Sequence, residues 1–298
     1  MSDAAAYQPQ RTARHEHIEL RGRRFGLTRW GSESADPVLL LHGWLDCADA
    51  WQLLVDRMPE DWSFVALDWA GYGASEWNDH GYAAADYFAD LEALLDRLWP
   101  QARPRVVAHS LGGTVASMYA GIRTERLRWL VSLEGFGLPR LTPEQVRGRV
   151  GDWLDAVRAA EPQGSYPGLG ALAARIRQNN PCLDAAAAGF LAGIWSRPAP
   201  AGGWQLNADP QHRHPGPIRY SREEVEACWA HVTAPVLLLA GDQSEFLPRL
   251  GGAHQLWRWA TLYPRASAHL ISPAGHLLQY EQPQQVADHI VAFAAGVE

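Results

Sequence analysis

The sequence predicts an α/β chain: a mostly parallel central sheet flanked by helices, with one inserted helical cap. Two observations predict it. Short apolar runs recur at 37–41, 63–69, 105–109, 127–133 and 235–240, each bounded by Pro, Gly or polar residues. Runs of that kind read as strands buried on both faces, which parallel sheets require. The segments between them repeat apolar residues at helical spacing, and strands alternating with helices imply βαβ units.

The elements follow in order. His17 to Leu20 and Arg24 to Trp30 flank a Gly-containing turn and predict a hairpin. Pro37 to Leu41 predicts the first buried strand, Ala48 to Arg57 a helix, and Ser63 to Trp69 the next strand. Asp86 to Leu98 carries an acid near its start and a helical stripe. Arg105 to His109 predicts a strand, Leu111 to Ile122 a helix of small residues, and Leu127 to Leu133 a strand. The pattern resumes with a strand at Pro235 to Ala240, a helix at His254 to Thr261, a strand at Ala268 to Ile271 and a closing helix at Gln284 to Ala295.

Residues 139–226 break the alternation. Helices are predicted at Pro143 to Ala160, Gly168 to Gln178 and Leu183 to Trp195, joined by breakers such as Pro198 to Gly203. The expected organisation is a loose tail over 1–14, a core of 15–138 and 227–298, and a cap of 139–226.

The 298 residues are 47% apolar, which is ample for a core. A net charge of −7 with Arg scattered among acids argues against a nucleic-acid partner. Cys47, Cys182 and Cys228 are odd in number and widely spaced, so reduced thiols are expected, with no disulfide framework and no metal site. The start lacks an apolar signal region and no run reaches the ~18 residues of a membrane span, so a cytoplasmic location is expected. Nothing in the sequence sets the oligomeric state.

The sharpest chemical signal is Val106-Val-Ala-His-Ser110-Leu-Gly-Gly113. An apolar strand ends, a Ser stands at the corner, and a helix of small residues begins. A sharp strand–turn–helix bend lifts such a hydroxyl clear of the sheet. Its close backbone approach needs small neighbours, and Ala108 and Gly112 supply them. The helix N-terminus adds N–H donors and a positive dipole end, which suit a developing oxyanion.

With that segment, the chain from about Phe25 onward resembles the α/β-hydrolase superfamily. Its Leu41-His-Gly-Trp-Leu-Asp46 and His109-Ser-Leu-Gly-Gly113 segments resemble the serine hydrolase-like proteins. The resemblance implies oxyanion donors at the backbone N–H groups of Trp44 and Leu111. Asp68-Trp-Ala-Gly71-Tyr-Gly73-Ala-Ser75 is similar to the family's scaffold turn, and His42 is expected to be structural. The family's catalytic His lies between the last strand and the last helix, where Ala274-Gly-His276 stands before Glu281-x-Pro283. Histidine suits proton transfer near neutral pH.

The acid departs from the common pattern, because Ser244 occupies its usual place and cannot serve. Glu134, directly after the strand ending at Leu133, resembles the arrangement in a subgroup of haloalkane dehalogenases. Asp242 is the alternative acid, with Glu245 behind it. The resemblance then implies acyl transfer: Ser110 as nucleophile, His276 as base, Glu134 as orienting acid, and no cofactor. A Ser at the elbow departs from the Asp nucleophile of dehalogenases and epoxide hydrolases. The expected partner is a small-molecule substrate, by default a small-to-medium apolar ester, with lactones, thioesters and vinylogous C–C bonds open. Trp69, Trp195 and His109 are candidates to line its pocket, together with Trp44 and Trp77. A receptor-like binding protein and a cofactor-free oxygenase are the alternatives from other classes.

Overall fold

A computed structural model describes residues 6–33, 36–159 and 164–298. Among them run ten strands: β1 (Arg14–Leu20), β2 (Arg23–Trp30), β3 (Val38–Leu41), β4 (Phe64–Leu67), β5 (Arg105–His109), β6 (Trp129–Leu133), β7 (Ser196–Pro198), β8 (Trp204–Leu206), β9 (Val236–Gly241) and β10 (Ala266–Ile271). β7 and β8 form a separate small hairpin. The other eight form one sheet in the order β1-β2-β4-β3-β5-β6-β9-β10. β1 and β2 are antiparallel, and every pairing from β4 to β10 is parallel.

The helices are α1 (Gln52–Val55), α2 (Ala84–Leu98), α3 (Ser110–Ile122), α4 (Gln145–Arg158), α5 (Leu169–Asn179), α6 (Ala185–Ile194), α7 (Arg222–Trp229), α8 (Phe246–Arg249), α9 (Gln255–Ala260), α10 (Leu278–Glu281) and α11 (Pro283–Val297). They cover both faces of the sheet, which explains why every residue of β3, β4, β6 and β9 is buried. Alternation then divides each strand between two cores. Leu39 and Leu41 join the layer packed by α2, α3, α7 and α9. Val38 and Leu40 join the layer packed by α1 and α11.

Fourteen tryptophans fall into distinct roles. Trp30, Trp51, Trp69, Trp129, Trp229 and Trp259 are wholly buried, whereas Trp44, Trp77 and Trp257 are substantially exposed. All three cysteines are free.

The inserted segment has its own small core. Leu172 and Ile176 of α5 and Ala188 and Leu191 of α6 pack together against Cys47, Leu53 and Tyr280 of the sheet domain. α4 buries no residue. The predicted helix from Pro143 to Ala160 is observed as α4, and Ala160 lies outside the described residues.

Three boundaries differ from expectation. The tail does not stay loose through residue 14. The Tyr7 hydroxyl and the Gln10 and Arg11 N–H groups bind Asp56, at 2.5, 2.9 and 2.9 Å. Polar side chains reaching back to the core supplied no periodicity to read. The sheet domain also resumes before residue 227, because Val225 and Trp229 of α7 enter the main core. The segment predicted as a helix at 48–57 is a 3₁₀ turn (Ala48–Trp51) running into the short α1.

The seat of α7 explains one glycine. A Cβ on Gly121 would stand 1.9 Å from the Cys228 carbonyl oxygen. Gly121→Ala must therefore push α3 from α7, and we expect a loss of about 2 kcal/mol in urea unfolding. Unchanged stability would refute this packing account.

Candidate active site

Parallel pairing sets the site. Register matches Ala108 with Ser132 and His109 with Leu133. Ser110 and Glu134 are therefore the next residues out, leaving neighbouring strands at one level. Both adopt a left-handed backbone, with φ of 50° at Ser110 and 51° at Glu134. That region is costly for non-glycine residues and persists only where surroundings over-determine it.

The surroundings here are glycines. A Cβ on Gly112 would stand 2.5 Å from the Leu41 carbonyl oxygen and 2.7 Å from that of His42. One on Gly113 would stand 2.8 Å from the Gly135 Cα. The start of α3 therefore lies directly against the loop after β3 and the loop after β6. This close approach draws three strand ends together.

Three side chains that the sequence marked as candidates meet at this point. His276 Nε2 is 3.0 Å from Ser110 Oγ, and His276 Nδ1 is 2.6 Å from Glu134 Oε2. Glu134 is buried, and its other contacts are donors. The Gly241 N–H donates to Oε1 at 2.9 Å, and the Ser244 hydroxyl donates to Oε2 at 2.7 Å. Ser244 thus supports a carboxylate supplied by the other strand. Only packing of β9 beside β6 reveals that contact.

Asp242, the alternative acid, holds the loop that leads to His276. It accepts from Ser272 Oγ at 2.7 Å and from the Ala274 N–H at 3.0 Å. Its carboxylate is thereby committed to the loop rather than to the His276 ring. Glu245 stands at the entry to α8. Glu281, which the sequence marked only as part of a motif, accepts from the Gly275 N–H.

The loop after β3 passes beside Ser110. A Cβ on Gly43 would stand 3.1 Å from Ser110 Cβ, so Trp44 follows immediately at the site. The Trp44 ring is 54% exposed, and its Nε1 donates to the His212 carbonyl at 2.9 Å. Leu111 lies in the first turn of α3, where helix N–H groups lack intrahelical partners. His42 is structural: its Nε2 accepts from the Trp69 N–H at 3.0 Å, and burial pushes its pKa down to about 4.

Two residues expected in a pocket are packed away instead. Trp69 is wholly buried and donates Nε1 to the His42 carbonyl at 3.1 Å. His109 is also buried, behind the Ser110–His276 pair. A strand-end residue can point inward or outward, and a linear motif does not say which. Trp195 is half-buried, and its Nε1 is held by Asp46 at 2.7 Å.

Asp46 was missed from sequence. Its carboxylate also accepts from the Cys47 N–H at 2.8 Å and the Tyr280 hydroxyl at 2.8 Å. It thus ties the loop after β3 to α10 and to the inserted segment. Asp68 is similarly enclosed, accepting from the Ala48 and Ala74 N–H groups. Among the described residues no group of three His, Cys, Asp or Glu is placed to hold a metal ion. No described helix is long and apolar enough to cross a membrane.

A family model for the α/β-hydrolase fold matches residues 36–283. The chain belongs to the α/β-hydrolase family. A serine hydrolase-like protein from Danio rerio is 38% identical over 111 residues, covering 36% of this chain and 33% of that protein. A pimeloyl-[acyl-carrier protein] methyl ester esterase from Klebsiella pneumoniae is 36% identical over 98 residues, covering 32% of this chain and 35% of that one. The matched stretch spans only about a third of either relative. Among solved structures, a thioesterase domain from the curacin biosynthetic pathway superposes with a TM-score of 0.82 at 22% identity, covering 94% of this chain and 99% of that one. That last likeness concerns the fold.

Burial raises the Asp46 pKa from 3.8 to about 6, because desolvation outweighs its three donors. The folded state therefore holds this proton more tightly than the unfolded chain. The resulting stability is full below about 3.8 and is lost as pH rises through about 6. In Asp46→Asn the amide oxygen still accepts from the Cys47 and Trp195 N–H groups, and the amide NH2 donates to the Tyr280 hydroxyl oxygen instead of accepting from it, without the charge. We expect the variant to gain on wild type by of order 2–3 kcal/mol between pH 4 and pH 7 in urea unfolding. A difference independent of pH would refute the assignment.

Proposed function

We propose that this chain is a serine hydrolase of the carboxylesterase type, acting through a Ser110–His276–Glu134 triad. The carrying observation is the continuous hydrogen-bond chain from Ser110 Oγ through both ring nitrogens of His276 to Glu134. A carboxylate on Nδ1 fixes the tautomer that leaves Nε2 free to take the serine proton. Ser110 then attacks the ester carbonyl. The N–H groups of Trp44 and Leu111 receive the tetrahedral oxyanion. His276 returns the proton to the leaving alcohol, and water resolves the acyl-enzyme by the same steps. The scheme needs no cofactor.

Apolar side chains support an apolar ester of small to medium size. The exposed Trp44 ring stands beside the nucleophile, and the Phe246 ring lies 4.2 Å from the His276 ring. The inserted segment, with α5 and α6 seated beside the loop after β3, serves as a cap over the site. Trp195 contributes to that boundary through its bond to Asp46. The named esterase relative lends weight to ester chemistry, and its own acyl-carrier substrate is a property of that protein.

The experiment is covalent labelling by a fluorophosphonate together with turnover of a p-nitrophenyl ester. Label on Ser110, lost in Ser110→Ala, is the expected result. Absence of label on the folded wild type would refute the reading and favour a binding protein. Glu134→Gln should lower kcat about 10⁴-fold with the fold intact, because the amide favours the wrong His276 tautomer. Asp242→Asn should stay close to wild type. The reverse ranking would move the acid to Asp242.

A further inference from the structure

The His109 imidazole is 2% exposed, yet the triad does not use it. It touches the elbow, the loop that carries His276 and the loop after β3. As the last residue of β5 it adjoins Ser110 directly. Its Nε2 lies 2.9 Å from the His276 backbone carbonyl oxygen, and its ring centroid is 4.8 Å from that of His276. On its other side, a Cβ on Gly43 would stand 2.7 Å from His109 Nδ1, so the oxyanion-side loop packs against this ring.

We propose that His109 is a positioning residue whose Nε2–H tethers the His276 backbone to the nucleophile elbow and sets the Ser110–His276 distance. The proposal rests on the serine-hydrolase reading above. A backbone carbonyl can only accept, so the proton facing it must reside on Nε2. The opposite tautomer would set two acceptors face to face. It would also bury an Nδ1–H that has no partner among the described residues. The doubly protonated ring fails for the same lack of a partner. Burial, reinforced by His276 and His42, holds the His109 pKa well below the usual range, in keeping with one fixed neutral form.

The tether matters because His276 stands on a loop rather than on a strand. Its ring is held at Nδ1 by Glu134, but its backbone needs a separate anchor. His109 supplies one from the same strand that carries the nucleophile. An error in the Ser110 Oγ–His276 Nε2 distance would then be corrected locally. A displacement of about 1 Å at such a pair typically costs about 100-fold in rate.

The test compares wild type with His109→Leu, His109→Phe and His109→Gln in p-nitrophenyl butyrate hydrolysis and in fluorophosphonate labelling of Ser110. Leu and Phe should lower kcat and the labelling rate about 100-fold with KM little changed. Gln, whose amide N–H can reach the same carbonyl, should recover most of that loss. Folded Leu and Phe variants that label as fast as wild type would overturn the proposal. A wild type that takes no label would instead overturn the hydrolase reading beneath it. Nitrogen-15 imidazole spectra of the wild type decide the matter even if the variants do not fold. A neutral Nε2–H tautomer for His109 at pH 7 is expected, and an Nδ1–H tautomer or a charged ring would overturn the tether.

Discussion

The site depends on one close approach. The first turn of α3 lies against the carbonyls of Leu41 and His42 on one side and against Gly135 on the other, with no room for a side chain at Gly112 or Gly113. Three adjacent parallel strands thereby end at one point. The left-handed backbones of Ser110 and Glu134 are the local cost of that convergence. Strain of this kind aims a hydroxyl and a carboxylate outward from the sheet, where His276 can bridge them.

A second constraint is the cost of burying charge. Glu134 is enclosed, and a carboxylate in that setting needs its lone pairs met. Gly241, Ser244 and His276 meet them. Asp46 shows the same logic. Three donors satisfy it, and desolvation still raises its pKa to about 6. Both carboxylates join segments distant in sequence, so the polar groups that orient the site also hold its loops together.

Much of this was legible in the chain. The apolar runs at 38–41, 64–67 and 236–240 stood where strands formed, because a strand covered on both faces must be apolar at every position. The Ala108-His-Ser-Leu-Gly112 corner was legible because close backbone packing demands small residues at fixed offsets. Side-chain direction was not. Trp69 and His109 were expected at a pocket and are packed inward, since a strand-end residue carries no mark of which layer it faces. The anchoring of the first residues on Asp56 was equally hidden, because it depends on single hydrogen bonds and not on any period.

The sequence by itself determined the layered fold and marked Ser110 and His276 as candidates, since periodicity and turn chemistry are local properties. The tertiary structure alone decided what joins them. Ser244 became a support of Glu134, Asp242 became a loop brace, and Asp46 became a junction with the inserted segment. Those roles follow from strand order and register. Folding brings together residues from 30 to 149 positions apart, and no local pattern in the chain records that distance.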